Sequence, residues 1–123
     1  MALTRVINSG IGVAASIAGE ATASTNLQQG LAKMWANVDG TGTAALDDSF
    51  NASGLTDNGT GDFTVAINND MSNADYSCQF NGNSAHVGLT AIATGSLQVF
   101  VTAANDSSQD VDPVTYTAFG DLA

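Results

Sequence analysis

A chain of 123 residues with 12 acidic and 2 basic side chains has a formal charge of −10 at pH 7, which repels phosphate backbones and sets nucleic-acid binding aside. The length suits one domain, and with 7% aromatic and 11% charged residues the chain buries less apolar surface than an average enzyme domain, so support from association with other chains is expected. The lone cysteine, Cys78, excludes an intrachain disulfide and a thiolate metal cluster.

The first stretch, MALTRVINSGIGVAASIAGEATAS, is Ala, Gly, Ser and Thr with scattered Val and Ile. Arg5 ahead of small apolar residues loosely mimics a secretory signal, but Asn8, Ser9, Gly10 and Gly12 interrupt the apolar run, so a soluble protein with an intact N-terminus is expected. No stretch approaches the roughly eighteen apolar residues that span a bilayer, so no membrane insertion is expected. Residues 1–26 read as an extended small-residue arm that orders against another chain, or as a flexible leader. Next, TNLQQGLAKMWANVDG fits a short helix capped by Thr25 or Asn26, with Leu27, Leu31 and Met34 at helical spacing. It fits equally a strand that carries Trp35 and Val38.

Beyond Gly40 the apolar period drops to two. DFTVAI sets Phe63, Val65 and Ile67 on one face, and DYSCQF does the same for Tyr76, Cys78 and Phe80. HVGLTAIAT follows, SLQVFVTA aligns Leu97, Val99 and Val101, and VTYTAF closes the series after Pro113, the only proline. Alternating strands at spacings of about eight to twelve residues, broken by Gly, Asn, Asp and Ser, predict an antiparallel β-sandwich or barrel-like fold. Eleven of the acids are aspartates, which suit turns and caps better than helices.

The stretch TDNGTGD poses a choice between a turn and a calcium loop. Asn58-Gly59 is a strong hairpin signal and Gly61 supplies a further flexible position. A calcium loop of the D-x-[DN]-x-[DN]-G type needs a later glutamate, and the only one, Glu20, lies far upstream. The turn is therefore expected, and no metal, catalytic or cofactor-binding residues are assigned. His86 has no nucleophile elbow beside it, and it reads as structural or solvent-facing. Asp47 and Asp48 are adjacent, so on a strand they point to opposite faces and cannot act as a glycosidase pair. No Gly-rich nucleotide loop is present. The glycosylation triplets NAS at 51–53, NGT at 58–60 and NDS at 105–107 are discounted because such matches arise by chance in this composition.

The run from LQQGLAKMWANVDG to NNDMSNADYS resembles a β-rich module of tail-fibre and other virion-appendage proteins of bacteriophages, notably marine and cyanobacterial phages. Lys33, Trp35, Asn37, Gly40, Thr41 and Gly42 match its first block. Ser49, Phe50, Asn51, Ser53 and residues 56–64 match the second; Met71, Asn73, Ala74 and Tyr76 match the third. GSLQVFVTAANDSSQDVDPVTYTAFG looks like the closing hairpin, so the likeness covers about residues 27–120. Ala36, Asp47 and Ser72 depart from the pattern, altering surface charge and turn stiffness.

The resemblance implies an all-β, jelly-roll-like antiparallel β-sandwich over residues 27–123, trimeric, with residues 1–26 as an arm for attachment or inter-subunit contact. It implies a non-enzymatic virion structural protein on the capsid exterior or tail, either a capsid decoration or cement protein or a short fibre. Its partners would be two further copies of itself and a major capsid or tail protein. A tail-fibre or receptor-binding tip contacting host surface glycans is the alternative. A calcium-dependent carbohydrate-binding module is a third, and it requires Trp35, Tyr76 or Tyr116 to be exposed beside the acidic loop.

Overall fold

A computed structural model describes residues 16–18, 24–26, 30–83 and 85–123, and within these the chain divides into two units, at Leu31 and Ala32. The expected arm falls almost wholly outside the described residues. What is described of the first unit is a two-stranded antiparallel ladder, β1 (Ser16–Ala18) with β2 (Ser24–Asn26), and then Gly30, which is helical, and Leu31.

The second unit is built from eight strands: β3 (Met34–Asp39), β4 (Ala45–Phe50), β5 (Ala52–Gly59), β6 (Asp62–Ile67), β7 (Ser77–Gly82), β8 (His86–Ala93), β9 (Ser96–Thr102) and β10 (Val114–Phe119). They form two antiparallel four-stranded sheets, ordered β4-β3-β10-β7 and β5-β6-β9-β8. This is the antiparallel β-sandwich that the alternation predicts. A jelly roll sends successive strands to opposite sheets, whereas β3–β4, β5–β6 and β8–β9 pair within one sheet, so the ladders do not show the expected jelly-roll-like wiring.

The core follows from the period-two pattern. Met34, Ala36 and Val38 of β3 and Val114, Tyr116 and Ala118 of β10 face Phe63, Val65 and Ile67 of β6 and Leu97, Val99 and Val101 of β9, all buried. Each large apolar side chain so buried contributes roughly 1.5–3 kcal/mol of transfer free energy. Two tyrosines fasten one sheet to the other. The Tyr116 hydroxyl donates to the Phe63 carbonyl at 3.4 Å, and Phe80 packs edge-on against the Tyr116 ring at 5.6 Å and 85°. The Tyr76 hydroxyl, just ahead of β7, donates to the Ala93 carbonyl at 2.8 Å beside the β8–β9 turn.

Of the helix alternative for residues 25–34, Gly30 is helical, whereas the ends differ: Thr25 and Asn26 belong to β2, and Met34 opens β3. Leu27 lies outside the described residues. Met34, Ala36 and Val38 are buried in strand alternation, and the sheet neighbours β4 and β10 fix that choice, which local spacing leaves open.

Candidate functional site

The hairpin at 57–62 is set by glycine rather than by Asn58. Gly59 pairs with Asp62, so the turn falls on Thr60-Gly61, two residues later than the Asn-Gly signal places it. Gly59 and Gly61 adopt φ of 133° and 73°, conformations that L side chains rarely take. Gly61 is also pinned in space: its amide donates to Asp110 Oδ1 at 2.7 Å, its carbonyl accepts from the Val101 amide, and a Cβ there would collide with the Val101 carbonyl. Asn58 is instead the extra residue of a β-bulge, and its side-chain Nδ2 donates to Asp62 Oδ1 and Thr64 Oγ1.

One oxygen of each carboxylate of this loop is already engaged. Asp62 Oδ1 also accepts from Gln98 Nε2 at 2.7 Å, and Asp57 Oδ1 accepts the Gly59 amide at 2.9 Å. Among the described residues there is no group of three or more His, Cys, Asp or Glu side chains placed to hold a metal ion. The arrangement is that of a turn whose polar atoms close on one another.

The other residues singled out by sequence are dispersed. His86 is exposed at the start of edge strand β8, opposite Thr102. Asp47 is the extra residue of a bulge between β3 and β4; Asp48 pairs with Asn37, and both aspartates are exposed. Cys78 packs against the core, and burial pushes its thiol pKa up. Tyr76 and Tyr116 are buried, so a sugar platform built on them is ruled out by the packing. Burial is also the main reason their phenols stay protonated: Tyr76 is pushed up to about 12, with a smaller push from Cys78, and Tyr116 is raised further, with a smaller push from Asp62.

Trp35 is different. It sits on the outer face of the β4-β3-β10-β7 sheet, 38% exposed, directly paired with Phe50, 53% exposed, on β4. Thr117 lies opposite on β10, and Phe119, half-buried two residues further along the same face, is its diagonal neighbour. The next rung of this face is Asp48, Asn37, Thr115 and Asn81. Asn37 Oδ1 is buried there with no hydrogen-bond partner. The aromatic group stands apart from the acidic hairpin. Trp35 begins near one end of β3, whereas Phe63, which follows the hairpin, packs under Gly40 beyond the other end.

Sequence reasoning missed Asn51. Read as part of a glycosylation triplet, it stands at the step from β4 to β5 with φ of 56°. Its Nδ2 donates to the carbonyls of Lys33 and Asn69, and its Oδ1 accepts from the Asn69 amide and side chain. An asparagine between two strands is a signal for such a corner, since Asn tolerates positive φ.

No protein-family model matches the chain, and neither a curated protein nor a solved structure matches it. Among the described residues no helix is long and apolar enough to cross a membrane.

Proposed function

We propose that this chain is a non-enzymatic structural protein of a bacteriophage particle, displayed on the virion surface as a trimer, where it decorates or stabilises the shell. The observation that carries this reading is the fate of the residues behind the phage resemblance. Residues 56–64, its most distinctive block, make the β5–β6 hairpin, in which the Asn58 side chain bonds Asp62 and Thr64, Asp62 accepts from Gln98, and Asp110 holds the Gly61 amide. A motif whose central side chains hold its own turn supports a scaffold role. The sandwich adds two features that suit display: an acidic surface that resists precipitation, and an exposed aromatic group on one sheet face. The N-terminal arm is the attachment element, docking on a major capsid or tail protein.

The test is the number and position of copies in purified particles, by quantitative mass spectrometry together with an electron cryomicroscopy map. Hundreds of trimers over the icosahedral shell are expected for a decoration or cement protein. A few trimers confined to the tail would instead mean a receptor-binding tip, and absence from particles would overturn the proposal.

A further inference from the structure

Along the sandwich strands β3 to β10 the charge is of one sign, and Lys33, the one cation of this unit, lies just ahead of β3, two residues from Trp35. Arg5, Lys33 and Glu20 all precede residue 34, so every formally charged side chain from there to the C-terminus is an aspartate. On the outer face of the β4-β3-β10-β7 sheet this acidity meets the exposed aromatic group, because Asp48 is two residues from Phe50 on the same edge strand and pairs with Asn37, itself two residues from Trp35. Large exposed aromatics beside a carboxylate form a surface with two complementary demands, an apolar or π contact and a positive charge.

From these we infer that the face carrying Trp35, Phe50 and Phe119 docks an arginine-bearing segment of another protein, its guanidinium stacked on Trp35 and paired with Asp48. The inference rests on the virion reading above and names the chemistry of the partner. Arginine suits the site better than lysine, since its planar group stacks on an aromatic ring while its edge donates to a carboxylate. It donates and never accepts, which suits Asp48, a carboxylate whose Oδ1 already accepts from the Ser49 amide and whose second oxygen faces the partner. A second copy of the sandwich is disfavoured as the occupant, because two such faces brought together would set aspartates against aspartates. Anionic partners are repelled for the same reason.

Trp35 is the only tryptophan, so tryptophan emission, excited selectively over that of the two tyrosines, reports on this face alone. The probes are a short peptide alternating arginine and glycine, its lysine counterpart, and a neutral chito-oligosaccharide. A saturable change in emission is expected with the arginine peptide. Phe50→Ser and Asp48→Asn should each weaken it by about tenfold, as loss of a central contact does. The lysine peptide should bind several-fold less tightly, and added salt should weaken both. Trp35→Ala, followed by calorimetry, should abolish measurable binding. Asp106→Asn, in the loop after β9, should leave the affinity within about twofold, since it changes only the distant field.

The inference is overturned if the arginine peptide gives no saturable change, or if Asp106→Asn costs as much as Asp48→Asn, which would mean diffuse attraction to an acidic protein. It is equally overturned if the oligosaccharide saturates the signal, or if emission shifts with protein concentration alone, which would mean that copies of this chain cover the face. Copy number in particles is measured separately. Abundant shell copies with an unresponsive Trp35 would keep the virion reading and remove this one.

Discussion

The four inner strands and the four edge strands of the sandwich follow different rules. On β3, β6, β9 and β10 every second residue is buried, and each strand is hydrogen-bonded on both sides. On β4, β5, β7 and β8 the only buried residue is Gly82, and every register shift adds its extra residue to an edge strand: Asp47 on β4, Ser53 and Asn58 on β5, Thr90 on β8. An inner strand that gained a residue would flip a packed face against two neighbours at once. An edge strand absorbs the extra residue on its open side, which also blunts it against pairing with other chains. Stability and surface variation are therefore assigned to different strands of one fold.

The sharpest way to break this comparison is to truncate one apolar side chain from each class. Phe63 on inner strand β6 is fully buried, and Phe63→Ala should cost about 3–5 kcal/mol in urea denaturation, the range for large core deletions. Leu89 on edge strand β8 lies opposite buried Val99 yet is 46% exposed, so Leu89→Ala should cost below about 1 kcal/mol. Comparable losses at the two sites would mean that another chain covers the β8 edge. The Leu89 effect would then grow with protein concentration.

Asn51 sharpens the comparison at the point where the chain passes from the edge of one sheet to the edge of the other. Its side chain joins the residue before β3 to the segment after β6, so an edge-to-edge link reaches both inner neighbours. Asn51→Ala should cost roughly 2–3 kcal/mol, combining lost hydrogen bonds with a positive φ that alanine resists. Asn51→Gly restores the backbone freedom alone and should recover roughly 1 kcal/mol of that, measured by the same urea midpoints. Equal loss in both variants would assign the whole effect to the side-chain bonds.

The same division explains what was legible in the sequence. Phe63-Val65-Ile67 and Leu97-Val99-Val101 declare inner strands because they pair with each other without a register shift and the extra residues of their outer ladders fall on β5 and β8. Asn58-Gly59 misplaces its turn because a bulge is a property of two paired strands, and nothing within DNGTGD shows that Gly59 faces Asp62. Trp35 and Phe50 are fifteen positions apart and become neighbours only through the β3–β4 register, so the aromatic group has no local signature. The partners of Asn51 are similarly remote, eighteen residues away in either direction. By contrast, the separation of Asp47 from Asp48 needs only the strand itself, which the period supplies.

A smaller effect than that of Asn51 concerns the two tyrosines that fasten the sheets together, Tyr116 on inner strand β10 and Tyr76 beside edge strand β7. Burial raises both phenols above their ordinary value near 10, Tyr76 to about 12 and Tyr116 beyond it. A raised acid holds its proton longer in the folded chain than in the unfolded one. Below pH 10 both states are protonated and stability is indifferent to these groups. Above it the unfolded chain releases protons that the folded chain keeps, so stability falls as pH rises toward 12. Cys78, raised from 9.0 by burial, starts the same decline slightly earlier. Absorbance at a tyrosinate wavelength should therefore stay flat at pH 10.5 in the native protein and rise at that pH in urea. Tyr76→Phe should flatten the upper part of the decline while lowering stability at neutral pH by about 1 kcal/mol, through loss of the bond to the Ala93 carbonyl. Tyrosinate appearing near pH 10 before unfolding would show that the edge beside β7 opens to water while the inner strands stay closed.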